Sequence, residues 1–250
     1  MSTSMSTSLP LSPSSRQLET ISREAYVHPV PLPPARWGWA AHGAAAMRSS
    51  TKRLIDIVGA FLGLVLLFPF MVLIAILVCL TSPGPILFRQ LRQGQGGRPF
   101  WFIKFRTMTA DAEHRLRDLE PLNEAVGGVL FKMQRDPRVT PVGRWLRRTS
   151  LDELPQLLNV LRGEMSLVGP RPLQMRDTAI LEQMEPDAYA RRLTVLPGLT
   201  GAWQVGGRSE TDSLGMLRLD LDYIERWSLW RDLGILCRTV GVVLRGRGAY

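Results

Sequence analysis

The hydrophobic pattern divides the chain into three unequal parts. Residues 1–50 show no sustained apolar period, running from MSTSMSTSLPLSPSS into the Pro- and Ala-rich VHPVPLPPARWGWAAHGAAA. Such a composition buries too little surface to offset its ordering entropy, so a disordered tail is expected over 1–50. From Leu54 to Leu80 the pattern becomes almost wholly apolar, interrupted only by Asp56, Gly59, Gly63 and Pro69. As a helix that block would extend roughly 40 Å, enough to cross a hydrocarbon core of about 30 Å. Pro69 sits near its middle, where it removes a helical hydrogen bond and kinks the axis. Both flanks are basic, with Arg48, Lys52 and Arg53 before it and Arg89, Arg92 and Arg98 after it. A spanning helix usually carries its Lys and Arg on the cytoplasmic side alone. At this level a single span and a re-entrant helix–break–helix hairpin over residues 51–81 both remain open.

Residues 82–250 alternate short apolar stretches with polar, glycine- and proline-punctuated loops. TSPGP (Thr81 to Pro85) is a sharp turn signal. Two extended segments follow, Ile86–Arg92 and Phe100–Arg106, joined by a glycine-rich loop. Helical spacing predicts elements near Ala110–Leu119, Pro141–Arg148, 153–162, 173–193 and 212–226, and a last amphipathic helix over 228–245 beside Trp227 and carrying Trp230. The expected class is mainly α with a few short strands. Tryptophan and arginine beside an apolar helical face suit a membrane interface, and equally a helix packed in an ordinary core.

Composition narrows this picture. In 250 residues, 31 Lys+Arg stand against 22 Asp+Glu, a net charge of +9, and the hydrophobic share of 45% excludes a wholly disordered chain. Cys79 and Cys237 are far apart in sequence and have apolar neighbours, so they read as reduced, inert core or membrane residues. There is no P-loop and no strand-linked G-x-G-x-x-G, and His28, His42 and His114 never pair at ligand spacing. Any metal is therefore expected on oxygen ligands, which points to a hard ion such as Mg²⁺. The basic excess is concentrated in two clusters. Residues 81–110 hold Arg89, Arg92, Arg98, Lys104 and Arg106 and no acid, and a second cluster holds Lys132, Arg135, Arg138, Arg144, Arg147 and Arg148 against Asp136. Beside a membrane segment, such patches suit phosphate groups or anionic lipid rather than nucleic acid.

The sharpest local constellation is RRTSLDELPQ, Arg147 to Gln156. Asp152 and Glu153 are adjacent carboxylates at a helix start, with Pro155 tolerated in the first turn. Ser150 and Glu153 also have capping-box spacing, which would explain both acids structurally. A chemical reading stands beside that one. Arg147, Arg148 and Arg171 could supply phosphate-binding cations, and a carboxylate among such cations can attack a phosphoryl group, dividing one hard displacement into two easier ones.

Five stretches occur in one order from Lys52 to Tyr250: KRLIDIVGAFLGL…P, SPGPILFRQLRQGQGGRPFWFIKFRTM, RRTSLDELPQLLNVLRGEMSLVGPRP, PGLTGAWQVGGR and LDLDYIERWSL–DL. The series resembles the bacterial sugar transferases, polyprenyl-phosphate hexose-1-phosphate transferases of the monotopic phosphoglycosyl transferase superfamily. The ending GRGAY resembles their exopolysaccharide-initiating members, which implies glucose or galactose as the sugar. The resemblance implies transfer of a sugar-1-phosphate from a UDP-sugar to a polyprenyl (undecaprenyl) phosphate, with release of UMP. Asp152 falls on the family's nucleophile, which forms a covalent phosphosugar-aspartyl intermediate, and Glu153 on its partner acid. The two together are the implied Mg²⁺ ligands. Lys104, Arg106, Arg147, Arg171 and Arg208 fall on substrate- or phosphate-side basic positions. Pro69 matches the proline at the break of a re-entrant hairpin, although Phe68 stands where many members have Ser, and KFRTM replaces the commoner KFRSM.

The implied organisation is a tail over 1–50, a membrane hairpin over 51–81 and a catalytic domain over 82–250. That domain would lie on the cytoplasmic face of a bacterial inner membrane, with interfacial amphipathic helices. The implied partners are a UDP-sugar, polyprenyl phosphate and the bilayer, with no nucleic acid, and a homo-oligomer is left open. The competing reading is a non-catalytic membrane-surface scaffold that binds anionic lipid or a partner enzyme.

Overall fold

The computed structural model describes residues 38–124, 133, 135–207 and 212–245. In chain order these form α1 (Gly38–Met47), α2 (Ser50–Thr81), β1 (Leu87–Gln93), β2 (Pro99–Phe105), α3 (Ala112–Leu119) and α4 (Pro141–Thr149). A 3₁₀ segment (Leu151–Gln156) leads into α5 (Leu157–Arg162), β3 (Ser166–Val168), α6 (Met175–Met184) and α7 (Pro186–Arg192). Then come β4 (Gly198–Thr200), α8 (Ala202–Gly206), α9 (Ser213–Glu225) and α10 (Leu229–Arg245). The mainly α class with a few short strands is as expected from the sequence.

Three details differ from the pattern-based reading. Of the tail expected over 1–50, residues 1–37 lie outside the described residues, and the next ten are the helix α1. Alanine is the strongest helix former, and Ala44 and Met47 are buried in the main core. The helix expected over 173–193 is two helices. Glu185, restricted by the following Pro186, leaves helical geometry at φ −143°, ψ 69° and divides α6 from α7. The parallel pair β3–β4, with Ser166 opposite Gly198 and Val168 opposite Thr200, is too short to leave a periodic signal. It sets VGPRP beside PGLTG: Gly169 N–H donates to Thr200 O (2.9 Å) and Gly198 N–H to Pro170 O (2.7 Å). A Cβ at Gly198 would lie 2.1 Å from the Gly169 nitrogen, so only glycine permits this crossing.

The apolar block forms one helix, α2, with Pro69 inside it and Ser49 capping its first turn. One face of α2 packs on the domain from end to end. Lys52, Asp56 and Ala60 are buried near its start and Ile74 and Val78 near its end, while Phe61, Leu62, Val65, Leu66, Phe68 and Phe70 are exposed. Ile74 and Val78 pack with Phe105 of β2 and Leu146 of α4. The basic residues in the first turn of the helix point inward. Arg53 donates to the carbonyls of Val160 (2.7 Å) and Leu161 (2.9 Å) near the end of α5, where a cation meets the negative end of the helix dipole. Lys52 bridges Asp56 (2.8 Å) and Asp232 (2.9 Å). The two cysteines are free and exposed, Cys79 on α2 and Cys237 on α10, so neither is a core residue.

Candidate active site

The antiparallel ribbon β1–β2 forms one wall of the site. Its register sets Phe88 opposite Lys104 and Arg92 opposite Phe100. Asn159 of α5, fully buried, fastens the ribbon to the segment carrying the acids: its amide nitrogen donates to Trp101 O (2.8 Å), and its carbonyl oxygen accepts from Ile103 N–H (3.3 Å). Thr107, just past β2, holds α4. Its carbonyl accepts from Thr140 N–H (3.0 Å), and its hydroxyl accepts from Arg147 Nε (3.0 Å). The contact leaves no room for a side chain at Gly143, whose Cβ would lie 2.0 Å from Thr107 O. Lys104 and Arg147 are thereby brought close enough to Asp152 to act on its charge.

The acids sit on the 3₁₀ segment rather than on a capped α-helix. Ser150 ends α4 in the left-handed conformation, φ 54°, the sole non-glycine residue with positive φ among the described residues. Its side chain does not cap the segment that follows, and the Glu153 carboxylate turns instead to Arg171. The capping-box explanation of these acids therefore fails. Arg171 donates to both Glu153 oxygens, at 2.5 and 3.3 Å. Asp152, 6% exposed, makes no hydrogen bond or ion pair with any described residue.

These two environments push the carboxylates in opposite directions. Burial raises the Asp152 pKa above the usual carboxylate value, and the neighbouring Glu153 raises it further, against the opposing pull of Lys104, Arg147 and Arg171. Burial also acts to raise Glu153, but the charge and hydrogen bonds of Arg171 outweigh it, and its pKa falls below the ordinary value. Burial lowers the Lys104 ammonium to about 8, helped by nearby Arg147. The ammonium also lies 5.4 Å from the centroid of the Phe88 ring.

The structure thus gathers Lys104, Arg147, Asp152, Glu153 and Arg171 in one place. Arg106 is elsewhere. It is buried beside the end of α2, donating to Ser82 O, and with Arg89 it borders an apolar cavity of about 610 Å³ lined by Pro85, Ile86, Leu87 and Phe88. Arg208 lies outside the described residues, as does Lys132.

Arg92 joins the site without having been singled out for it. Its guanidinium lies 3.8 Å from the centroid of Phe102 and donates to Pro172 O (2.6 Å), and burial, with Arg171 nearby, lowers its pKa to about 9. Its position in an acid-free stretch was visible in the sequence, but nothing there distinguished it from the exposed Arg89 and Arg98.

Magnesium is the expected cofactor. Among the described residues no three or more His, Cys, Asp or Glu side chains converge. The donors that fit are Asp152 and Glu153, since Mg²⁺ commonly takes one or two carboxylates and completes its shell with substrate phosphate and water. A buried carboxylate with no hydrogen bond of its own fits that role.

Comparison with known proteins bears on the family. The family model described as bacterial sugar transferase matches residues 47–246. The chain is 47% identical over 204 residues to the UDP-glucose:undecaprenyl-phosphate glucose-1-phosphate transferase of Caulobacter vibrioides, covering 80% of this chain and 72% of that protein. It is 43% identical over 199 residues to the galactosyl transferase CpsE of Streptococcus agalactiae, covering 79% of this chain but 43% of CpsE, so it spans less than half of that relative. With the exopolysaccharide production protein ExoY of Sinorhizobium fredii it shares 40% identity over 203 residues, 80% of this chain and 88% of ExoY. By the family match and these relatives, the chain belongs to the bacterial sugar transferase family.

Proposed function

We propose that the protein transfers a hexose-1-phosphate from UDP-glucose or UDP-galactose to undecaprenyl phosphate, initiating an exopolysaccharide or surface glycan. The observation that carries this reading is the buried Asp152 carboxylate, which makes no hydrogen bond with any described residue and is acted on by Lys104, Arg147 and Arg171. Asp152 attacks the phosphorus bearing the sugar. The bridging P–O bond breaks, and UMP leaves with its electron pair. The product is an acyl phosphate on Asp152. An oxygen of the polyprenyl phosphate then attacks the same phosphorus, and the acyl O–P bond breaks to return the carboxylate. Lys104, Arg147 and Arg171 offset charge that two anions would otherwise set against each other. When bound by Asp152, Glu153 and the diphosphate, Mg²⁺ supplies further charge neutralisation.

Support for a membrane placement comes from α2. From Asp56 to Val78 its domain-facing stripe extends roughly 33 Å. A helix crossing the bilayer would carry much of that stripe away from a polar domain on one side. A helix that bends at Pro69 and returns keeps both ends with the domain and gives its exposed apolar side to lipid. Trp145 of α4 and Trp230, Leu233 and Val240 of α10 are exposed and suit the same interface. The active site would then face the cytoplasm from the inner membrane.

The test is UMP release by the purified protein in detergent. Sustained turnover should need a UDP-hexose, undecaprenyl phosphate and Mg²⁺ together. Vesicle binding with no UMP release from either UDP-hexose would leave the scaffold reading instead. For the hairpin, Cys79 and Cys237 are replaced by Ser, and single cysteines are placed at Arg48 and Gly96. Labelling from one side of the membrane supports re-entry, and labelling from opposite sides excludes it.

A further inference from the structure

The turn that carries Arg171 is held from behind by two buried guanidinium groups. Arg92 of β1 donates to Pro172 O at 2.6 Å. Arg192, the last residue of α7, donates through Nη2 to the carbonyl of Arg171 itself. Arg192 is in turn seated on Asp220 of α9, Nε to Oδ2 at 2.8 Å, with side chains 4% and 1% exposed. Both are embedded where α7 meets α9, among Tyr189, Leu193, Met216 and Leu217. A buried ion pair is weak evidence of stabilisation, because desolvating two charges offsets most of their attraction. Placing this pair here costs about as much as it returns, yet one of its donors is directed to the backbone of the residue that grips Glu153. That gives the pair a role beyond stability.

We propose that Arg192, oriented by Asp220, is a positioning residue that fixes Arg171 against Glu153 and so sets the phosphate-side cation of the active site. The inference rests on the reading of Arg171 as part of that site. Neither Arg192 nor Asp220 touches the two acids. They act through the Arg171 carbonyl, from a helix pair that the chain reaches some twenty to fifty residues later.

Lysine at 192 keeps a charge for Asp220 but has a single ammonium. It cannot occupy both the Nε position and the Nη2 position that reaches Arg171 O. Arg192→Lys is therefore expected to fold while loosening Arg171. A misplacement of about 1 Å can cost roughly 100-fold in rate, so kcat should fall about 10- to 100-fold, with KM for the UDP-sugar within about 3-fold of wild type.

The experiment is a double-mutant cycle on the full chain in detergent, with UMP release as the readout and thermal unfolding as the check on folding. If Arg192 acts only through Arg171, Arg171→Lys/Arg192→Lys is no slower than Arg171→Lys alone. Multiplicative losses, or a folded Arg192→Lys protein whose loss lies in KM rather than in kcat, overturn the proposal. Asp220→Asn is the second variant, should Arg192→Lys unfold. It keeps a hydrogen-bond acceptor for Arg192 and should reproduce the same non-additivity with Arg171→Lys at a smaller loss, whereas additivity overturns the proposal. Failure of the underlying reading looks different: Arg171→Lys would then turn over like wild type, or wild type would release no UMP.

Discussion

Asp152 and Asp56 are the same residue type, both buried, and their surroundings could hardly differ more. One oxygen of Asp56 accepts from Lys52 Nζ (2.8 Å), Ser166 Oγ (3.0 Å) and Leu167 N–H (3.0 Å). Lys52 reaches on to Asp232, which also accepts from Tyr223 OH (2.5 Å) and Trp227 Nε1 (3.2 Å). That network ties α2 to β3, α9 and α10, and its charges are satisfied. Asp152 has cations around it and no hydrogen bond among the described residues. Burial of a carboxylate without one is unfavourable, and the fold sustains it at one position beside a strained Ser150. The difference is the ground for proposing Asp152 as the reacting group. The satisfied aspartate holds the molecule together, and the unsatisfied one is left available to react.

Substitution separates the two most strongly. Asp152→Asn should lower turnover by about 10³-fold or more, while the thermal midpoint stays level or rises, because a buried charge whose desolvation the nearby cations do not offset has been removed. Asp56→Ala should do the reverse to stability. It strands the Leu167 N–H and removes one of two anions from Lys52, costing about 3 kcal/mol and lowering the midpoint roughly 6–12 °C. A strongly destabilised Asp152→Asn, or an Asp56→Ala protein as stable as wild type, would dissolve the comparison.

The pH dependence sharpens it further. Asp152 must be ionised to attack, and its pKa is raised, so the acid limb of kcat/KM should lie above the ordinary aspartate value of about 3.9. Glu153→Gln removes a negative neighbour and should move that limb to lower pH. Arg147→Gln removes a cation that opposes the rise and should move it to higher pH. On the alkaline side Lys104 loses its proton near its pKa of about 8, and activity should fall there as pH increases. Lys104→Arg, which stays charged, should carry that limb upward by one unit or more. This is the smallest of the expected effects, and it is read from the profile's shape rather than its height.

How much of this was legible in the sequence depends on the distance over which each feature is encoded. The ribbon, α4, α9 and α10 follow local periodicity and capping, and they lie within a residue or two of where the pattern puts them. The Asp-Glu pair, Arg147 and Arg171 stood out because residue types with phosphate chemistry cluster in short motifs, whereas Lys104 was singled out from its basic stretch only by the family resemblance. Arg92 and Arg192 were not found, since each donates to a carbonyl that no local pattern reveals, and Asp220 was not, since it accepts from Arg192 across a long stretch of sequence. Arg106 was assigned to the phosphate side on motif position, whereas its guanidinium is turned to the Ser82 carbonyl. Likewise Lys52 and Arg53 were counted only as a basic flank of the apolar block, bearing on span against hairpin, yet both point into the protein.

The central claim is that Asp152 is the nucleophile, and the most direct measurement traps it. Wild-type protein mixed with UDP-glucose or UDP-galactose and Mg²⁺, without undecaprenyl phosphate, is quenched in acid, digested and examined by mass spectrometry. A hexose-phosphate adduct on the peptide containing Asp152, with a burst of UMP near one per enzyme, is the predicted result. No adduct, with UMP appearing only once the acceptor is added, would mean that the acceptor attacks the sugar nucleotide directly and would contradict the account.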